Sequence, residues 1–160
     1  MKLITIGLIV ATLMVSNNVE ANYSHQSNSY HSNMECLVQN IYRESRGESY
    51  TGRLAVAFVT FNRAKKDINN LCSVVYQSAV RNGKKICQFS WVCEPPKKVI
   101  DFQSYQDSRE IANLVVGYIA IDPSHGATHF HTTTVHPKWD KAAKVVAKIG
   151  HHIFLMISAK

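Results

Sequence analysis

Apolar residues recur along this chain at spacings that separate helix from strand. From Cys36, the pairs Leu37/Ile41 and Val38/Tyr42 stand four apart and predict an amphipathic helix ending near Arg46-Gly47, where glycine suits the residue just past a helix end. From about residue 51 to 64, Leu54, Ala57, Phe58 and Phe61 recur at three and four, which predicts a second, buried helix. A shorter helix is expected over 73–79. Asp107 with Glu110 resembles a capping box, opening a helix through Ile111, Leu114, Val115 and Tyr118 to Ile121 before Pro123 stops it. The stretches "ATHFHTTTVH" and "KVVAKIGHHIFLMI" are rich in β-branched and aromatic residues, with a turn at Gly150, and predict two or three short antiparallel strands. No internal repeat interrupts the series. The expected class is α+β, with more helix than sheet.

The first residues follow a different pattern. Met1 and Lys2 precede a run from Leu3 to Val15 that is apolar apart from Thr and Gly; polar Ser16-Asn17-Asn18 and then Val19-Glu20-Ala21 follow. A basic start, a short apolar run and small residues at a cleavage position read as a secretory signal peptide over 1–21. The run is shorter than the ~20 apolar residues that span a bilayer; an uncleaved anchor is the alternative. Residues 22–33, "NYSHQSNSYHSN", are polar and aperiodic and read as a flexible tail, leaving 34–160 as one domain with one core.

Export changes the reading of the cysteines. Cys36, Cys72, Cys87 and Cys93 are an even set in an oxidising compartment, which favours disulfides. Three connectivities are possible and spacing alone does not choose among them. The short loop "CQFSWVC" favours Cys87–Cys93, which leaves Cys36–Cys72. A zinc site calls for tighter paired spacing.

The net charge is +7. A basic exported protein tends to meet a polyanion, whether nucleic acid, an anionic membrane face or a bacterial wall, although charge also serves solubility alone. The lysines are scattered (Lys65-Lys66, Lys84-Lys85, Lys97-Lys98, Lys138 to Lys148), with no Arg-rich helix or ribonucleoprotein motif. Charge points to an acidic partner and no further.

Two glutamates sit beside the best core-forming segment, in "NIYRESRGESYTGRLAVAFVTFNR". Glu44 falls in the last turn of the first predicted helix, where a cleft lined by hydrocarbon would desolvate it. Desolvation disfavours the carboxylate and raises a Glu from ~4.3 towards ~6. A carboxyl still protonated near neutral pH can give its proton to a departing sugar oxygen. The plainer alternative is a solvated helix end.

That same stretch resembles the opening motif of the SleB/CwlJ-type cell-wall hydrolases, bacterial and bacteriophage enzymes that include the spore-cortex-lytic family. The family's E-A-R-G-E, G-x-x-A-V-A and N-R are matched by Glu44 to Glu48, Gly52 to Ala57 and Asn62-Arg63. Further matches are Val74 to Gln77, Gln88 to Trp91, Ala127 to His131 with Val135, Pro137 and Trp139, and Ile149-Gly150 with His152 and Phe154. They occur in order from about residue 35 to 155. Ser45 replaces the usual Ala, Phe130 stands where the family has Tyr, and His151 and Leu155 also depart from the pattern. The resemblance implies a lysozyme-like α+β domain, peptidoglycan as substrate, Glu44 as catalytic acid/base, and neither metal nor cofactor.

Glycosidases generally use two carboxyl groups, whereas a lytic transglycosylase needs one, because the muramic acid 6-hydroxyl is the nucleophile. Glu48 is the nearest second carboxyl, but Gly47 breaks the helix between them, which leaves Glu48 to cap or salt-bridge the second helix and favours a single-glutamate reaction. As substrate-binding candidates the sequence offers Glu48, Gln88, Ser90 and Trp91, and His129 and His131 alternating onto one strand face. Trp91 and Trp139 could equally be packing. The rival readings are a zinc peptidoglycan amidase with His129, His131 and either His125 or His136 as ligands, a non-catalytic basic module for wall polymer or nucleic acid, and a secreted ribonuclease. The expected protein is an exported monomer acting on peptidoglycan, without a nucleic-acid partner and without a membrane span once the signal is removed.

Overall fold

The computed structural model describes residues 27–157. The predicted signal peptide and the first part of the polar tail lie outside these residues. Helix α1 covers residues 27–45, so the segment 27–33, expected as loose tail, is helical. Its polar residues tie it to the fold. Asn33 is buried, donates to Ser29 O at 3.0 Å and accepts the Cys72 N–H at 3.1 Å. Such side-chain-to-backbone bonds leave no trace in an apolar periodicity.

Helix α2 (Tyr50–Arg63) starts on Ser49, whose hydroxyl accepts the Gly52 N–H. Every residue from Leu54 to Phe61 is buried, and a helix covered on all sides is a central one. One face, Leu54, Ala57, Phe58 and Phe61, packs on Leu37, Val38 and Ile41 of α1 and on Ile111, Ala112 and Val115 of helix α4 (Phe102–Val116). The opposite face, Ala55, Val56 and Val59, packs on the sheet through Phe154, Val146 and Ala147. Between these faces Thr60 accepts the Asn40 amide at 2.9 Å, fixing α1 against α2 by a buried polar pair.

That sheet is three-stranded and antiparallel, in the order β3 (His129–Thr132), β5 (His152–Met156), β4 (Lys144–Ile149). β5 lies in the middle and carries the buried residues His152, Phe154 and Leu155. These are the strands expected around the Gly150 turn, and Gly150 has φ +55.

Two segments differ from expectation. The helix predicted over 73–79 is only α3 (Leu71–Val75), and the chain then forms a second, two-stranded sheet of β1 (Ser78–Arg81) and β2 (Lys84–Cys87). Asn82 and Gly83, at φ +51 and +73, make the two-residue turn that twists as a hairpin requires. Helix α4 begins and ends earlier than predicted. Its cap is Asp101, which accepts the Ser104 N–H at 3.0 Å, while Asp107, read as the cap, pairs with Arg53 of α2 at 2.9 Å.

Two disulfides, Cys36–Cys72 and Cys87–Cys93, close loops of sequence separation 36 and 6. Loop-closure entropy grows with the length closed, so the first should stabilise by about 4 kcal/mol and the second by about 2 kcal/mol. Denaturant unfolding of the Cys36→Ala/Cys72→Ala and Cys87→Ala/Cys93→Ala double variants measures both losses; a larger loss for the short loop contradicts the ranking.

Candidate active site

A cleft of about 1440 Å³ opens where the C-terminal end of α1 meets the sheet and the disulfide-closed segment after β2. Glu44, Gln88, Ser90, Trp91, His129 and His131 all line it. Residues far apart in sequence are thus brought to one surface. Glu48 is the exception and is not among the residues that line it.

Glu44 reaches the cleft from the last turn of α1. Burial of its carboxyl, with the neighbouring negative charge of Glu94, raises its pKa to about 7. No cation or hydrogen-bond donor among the described residues opposes that shift. Glu94 also lines the cleft, and Lys97 holds it at 2.5 Å. The segment carrying both is fastened over α1: Arg43 donates to Lys97 O, and the Tyr42 hydroxyl accepts the N–H groups of Ile100 and Asp101 at 3.2 Å. Burial is the larger cause of the Glu44 shift, and the exposed Glu94 carboxylate adds to it.

Trp91 follows from the same buried network. Its indole N–H donates to Asn40 Oδ1 at 2.9 Å, so the ring is oriented by α1 while it borders the cleft. Tyr76 packs edge-on against it at 6.1 Å between ring centroids.

Arg63, at the end of α2, organises the opposite wall. Its guanidinium donates to Thr128 O at 3.3 Å, to Gln77 Oε1 at 2.6 Å and to Gln88 Oε1 at 2.9 Å, and lies 3.1 Å from His129 Nε2. Thr128 Oγ1 stands 2.9 Å from His129 Nδ1. A neutral ring that accepts at Nε2 and donates from Nδ1 satisfies both contacts, and burial and the Arg63 charge both lower the His129 pKa. Asn62 holds the preceding loop by donating to Asp122 Oδ2 at 3.0 Å and to Ala127 O at 3.1 Å. The Asn62-Arg63 pair thus positions β3. Both were visible as a motif; the role of Arg63 was not, since its partners lie 14 to 66 residues away.

His131 stacks near Trp139, with centroids 5.8 Å apart, and His136 is 6.5 Å from it. Among the described residues no group of three or more His, Cys, Asp or Glu side chains is arranged to hold a metal. His129 is also a poor ligand on chemical grounds, because its Nε2 faces a guanidinium. The ligand set weighed for a zinc amidase is not assembled.

Glu48 lies between α1 and α2, its side chain 10% exposed. It accepts the His151 backbone N–H at 3.2 Å and contacts the His151 ring at 2.9 Å. Burial works to raise its pKa, but these hydrogen bonds and the adjoining imidazoles bring it below the usual carboxylate value. A Cβ on Gly150 would meet Glu48 Oε2 at 2.0 Å. A larger residue would displace this carboxylate, and the φ of Gly150 itself favours glycine.

A helix-end carboxyl of raised pKa, set in a cleft between a central helix and a small antiparallel sheet, defines a lysozyme-like α+β domain. Residues 47–155 match the cell wall hydrolase family, and the chain belongs to that family. The matched span begins three residues after Glu44. The chain is 29% identical to the spore cortex-lytic enzyme of Halalkalibacterium halodurans over 149 residues, covering 90% of this chain and 39% of that protein. It is also 29% identical to the enzyme of the same name from Bacillus subtilis, covering 74% and 35%. The chain spans less than half the length of these curated relatives. Among solved structures, the catalytic domain of the germination-specific lytic transglycosylase SleB from Bacillus anthracis superposes with a TM-score of 0.56 at 25% identity, covering 77% of this chain and 93% of that one. The SleB catalytic domain of Bacillus cereus gives 0.55 at 22% identity, covering 78% and 90%, a likeness of fold. Among the described residues no helix is long and apolar enough to cross a membrane.

Proposed function

We propose that this protein is an exported, monomeric enzyme that cuts the glycan strand of peptidoglycan, with Glu44 as its single proton-transferring residue and without metal or cofactor. One observation carries the reading: a cleft-lining carboxyl whose pKa is raised to about 7. In its acid form Glu44 protonates the glycosidic oxygen as the C1–O bond breaks. The resulting carboxylate, in a site that disfavours charge, is a better base than an ordinary carboxylate. It removes the proton from the muramic acid 6-hydroxyl as that oxygen bonds to C1, giving a 1,6-anhydro end and restoring the acid form. Acid and base duties thus fall to one group: desolvation keeps Glu44 protonated near neutral pH, ready for the first step, and favours return of the proton in the second.

Gln88, Ser90, Trp91, His129 and His131 are read as sugar-binding residues, with Trp91 and His129, whose ring nitrogens are both engaged, offering ring surface and the others hydrogen bonds. The charge of +7 would favour docking on an anionic wall. The family and the names borne by its relatives support wall glycan over nucleic acid.

A second reading is favoured by Glu94, a carboxylate in the same cleft: with a water activated there, the product would be hydrolytic. Mass spectrometry of peptidoglycan digested by the protein separates these. Anhydromuramyl ends are expected; reducing ends would indicate the two-carboxylate route, and free stem peptides would overturn glycan cleavage.

A further inference from the structure

His152 lies at the boundary between Glu48 and the cleft, and neither sequence motif nor mechanism gives it a task. It begins the central strand β5, its side chain is 6% exposed, and it nevertheless borders the cleft. Its Nδ1 is buried without a hydrogen-bond partner and points towards Glu48 Oε1 at 3.9 Å. Phe130 packs edge-on against the ring at 5.0 Å and, lacking a hydroxyl, offers it no hydrogen bond. A buried polar atom left unpaired is disfavoured. The charged group that this unpaired Nδ1 faces is the Glu48 carboxylate.

We infer that Glu48 and His152 form a positioning pair in which the carboxylate keeps the His152 proton on Nδ1, so that Nε2 presents a neutral acceptor to a hydroxyl or amide N–H of the bound sugar. The inference rests on the glycan-cleaving reading. Glu48 thereby serves substrate binding without touching substrate. The fixed tautomer follows from the charge at Nδ1, as when a carboxylate orients a catalytic or metal-bound imidazole. His151 and His131 are the other titratable groups acting on the ring. Both add positive charge when protonated and so favour its neutral form, as burial does.

The test uses the two amide replacements, which mimic one ring nitrogen each. His152→Gln can place an acceptor near the Nε2 position, and His152→Asn only near Nδ1. On a soluble peptidoglycan glycan fragment, His152→Asn should raise KM about tenfold, the size of one hydrogen bond, and His152→Gln should stay within about threefold of the parent. Nitrogen-15 NMR of the imidazole should show the Nδ1–H tautomer in the parent and a mixture in Glu48→Gln. Equal KM for Asn and Gln variants that unfold at the parent temperature would overturn the inference, as would an Nε2–H tautomer in the parent. If cleavage of the glycan is itself absent in the parent, the reading of function fails, and the NMR result still decides the pairing.

Discussion

Glu44→Gln is expected to lower glycan cleavage at least ~10²-fold while the protein stays folded, because the amide keeps the shape of the acid but has no proton to give. The same substitution should stabilise the protein at alkaline pH. Folded Glu44 holds its proton up to about pH 7, whereas the group in the unfolded chain releases it near the ordinary value of 4.5. Between these values the folded state binds the extra proton, so stability declines as pH rises through the window. Above it, the buried carboxylate costs at most about 3 kcal/mol. The variant lacks that penalty. Its advantage should be nil below pH 4.5 and full above pH 7, measurable by denaturant unfolding at pH 4 and pH 8. A variant that cleaves at near-parent rate removes Glu44 from the mechanism.

The second large effect is expected at Arg63. Replacing it by Met retains most of the volume but removes the guanidinium that ties Thr128, His129, Gln77 and Gln88 together. Hydrogen bonds to a charged group contribute ~1.5–3 kcal/mol each where they are buried. Gln77 and Gln88 can turn to water, so the loss should be on the order of 2–4 kcal/mol. Activity should fall at least tenfold, because the β3 wall and the Gln88 segment lose their shared anchor. Arg63→Lys should not rescue it, since one ammonium cannot span a fork of four acceptors. A Lys variant with parent activity and stability would show that only the charge is needed.

The helices were legible because their apolar residues recur at helical spacing, and the strands because of their residue types, since only β5 carries buried positions. Leu54 to Phe61 could hardly be anything but a central helix, and the strands around Gly150 declare themselves by β-branched residues. The β1–β2 hairpin was hidden for the opposite reason: Ser78 to Ile86 is exposed throughout and has no apolar face to repeat. Its Asn82-Gly83 pair was nevertheless a usable turn signal. Asp101 and Asp107 show another limit. Both can cap a helix, and the choice was made by Arg53, a partner 54 residues away from Asp107.

The site was legible in part. Glu44 could be placed at a helix end, and the Gln88 to Trp91 segment could be tied to a short disulfide loop. The charge of Glu94 beside Glu44, the Arg63 anchor and the approach of His152 to Glu48 depend on contacts between elements distant in sequence. From the sequence, Glu48 reads both as a substrate-binding candidate and as a cap or ion-pair residue of the second helix. One turn of chain after Glu44, it faces the β4–β5 connection, because Gly47 redirects the backbone between the two helices.

Proton donation by Glu44 requires that its carboxyl keep the proton near neutrality. Carbon-13 NMR of the glutamate carboxyls, with the Glu44 resonance assigned by its absence in Glu44→Gln, measures that titration in the intact protein. A midpoint near 7 is expected, coinciding with the alkaline loss of glycan cleavage as the acid form disappears. A midpoint near 4.5, with cleavage still active at pH 7, would contradict it.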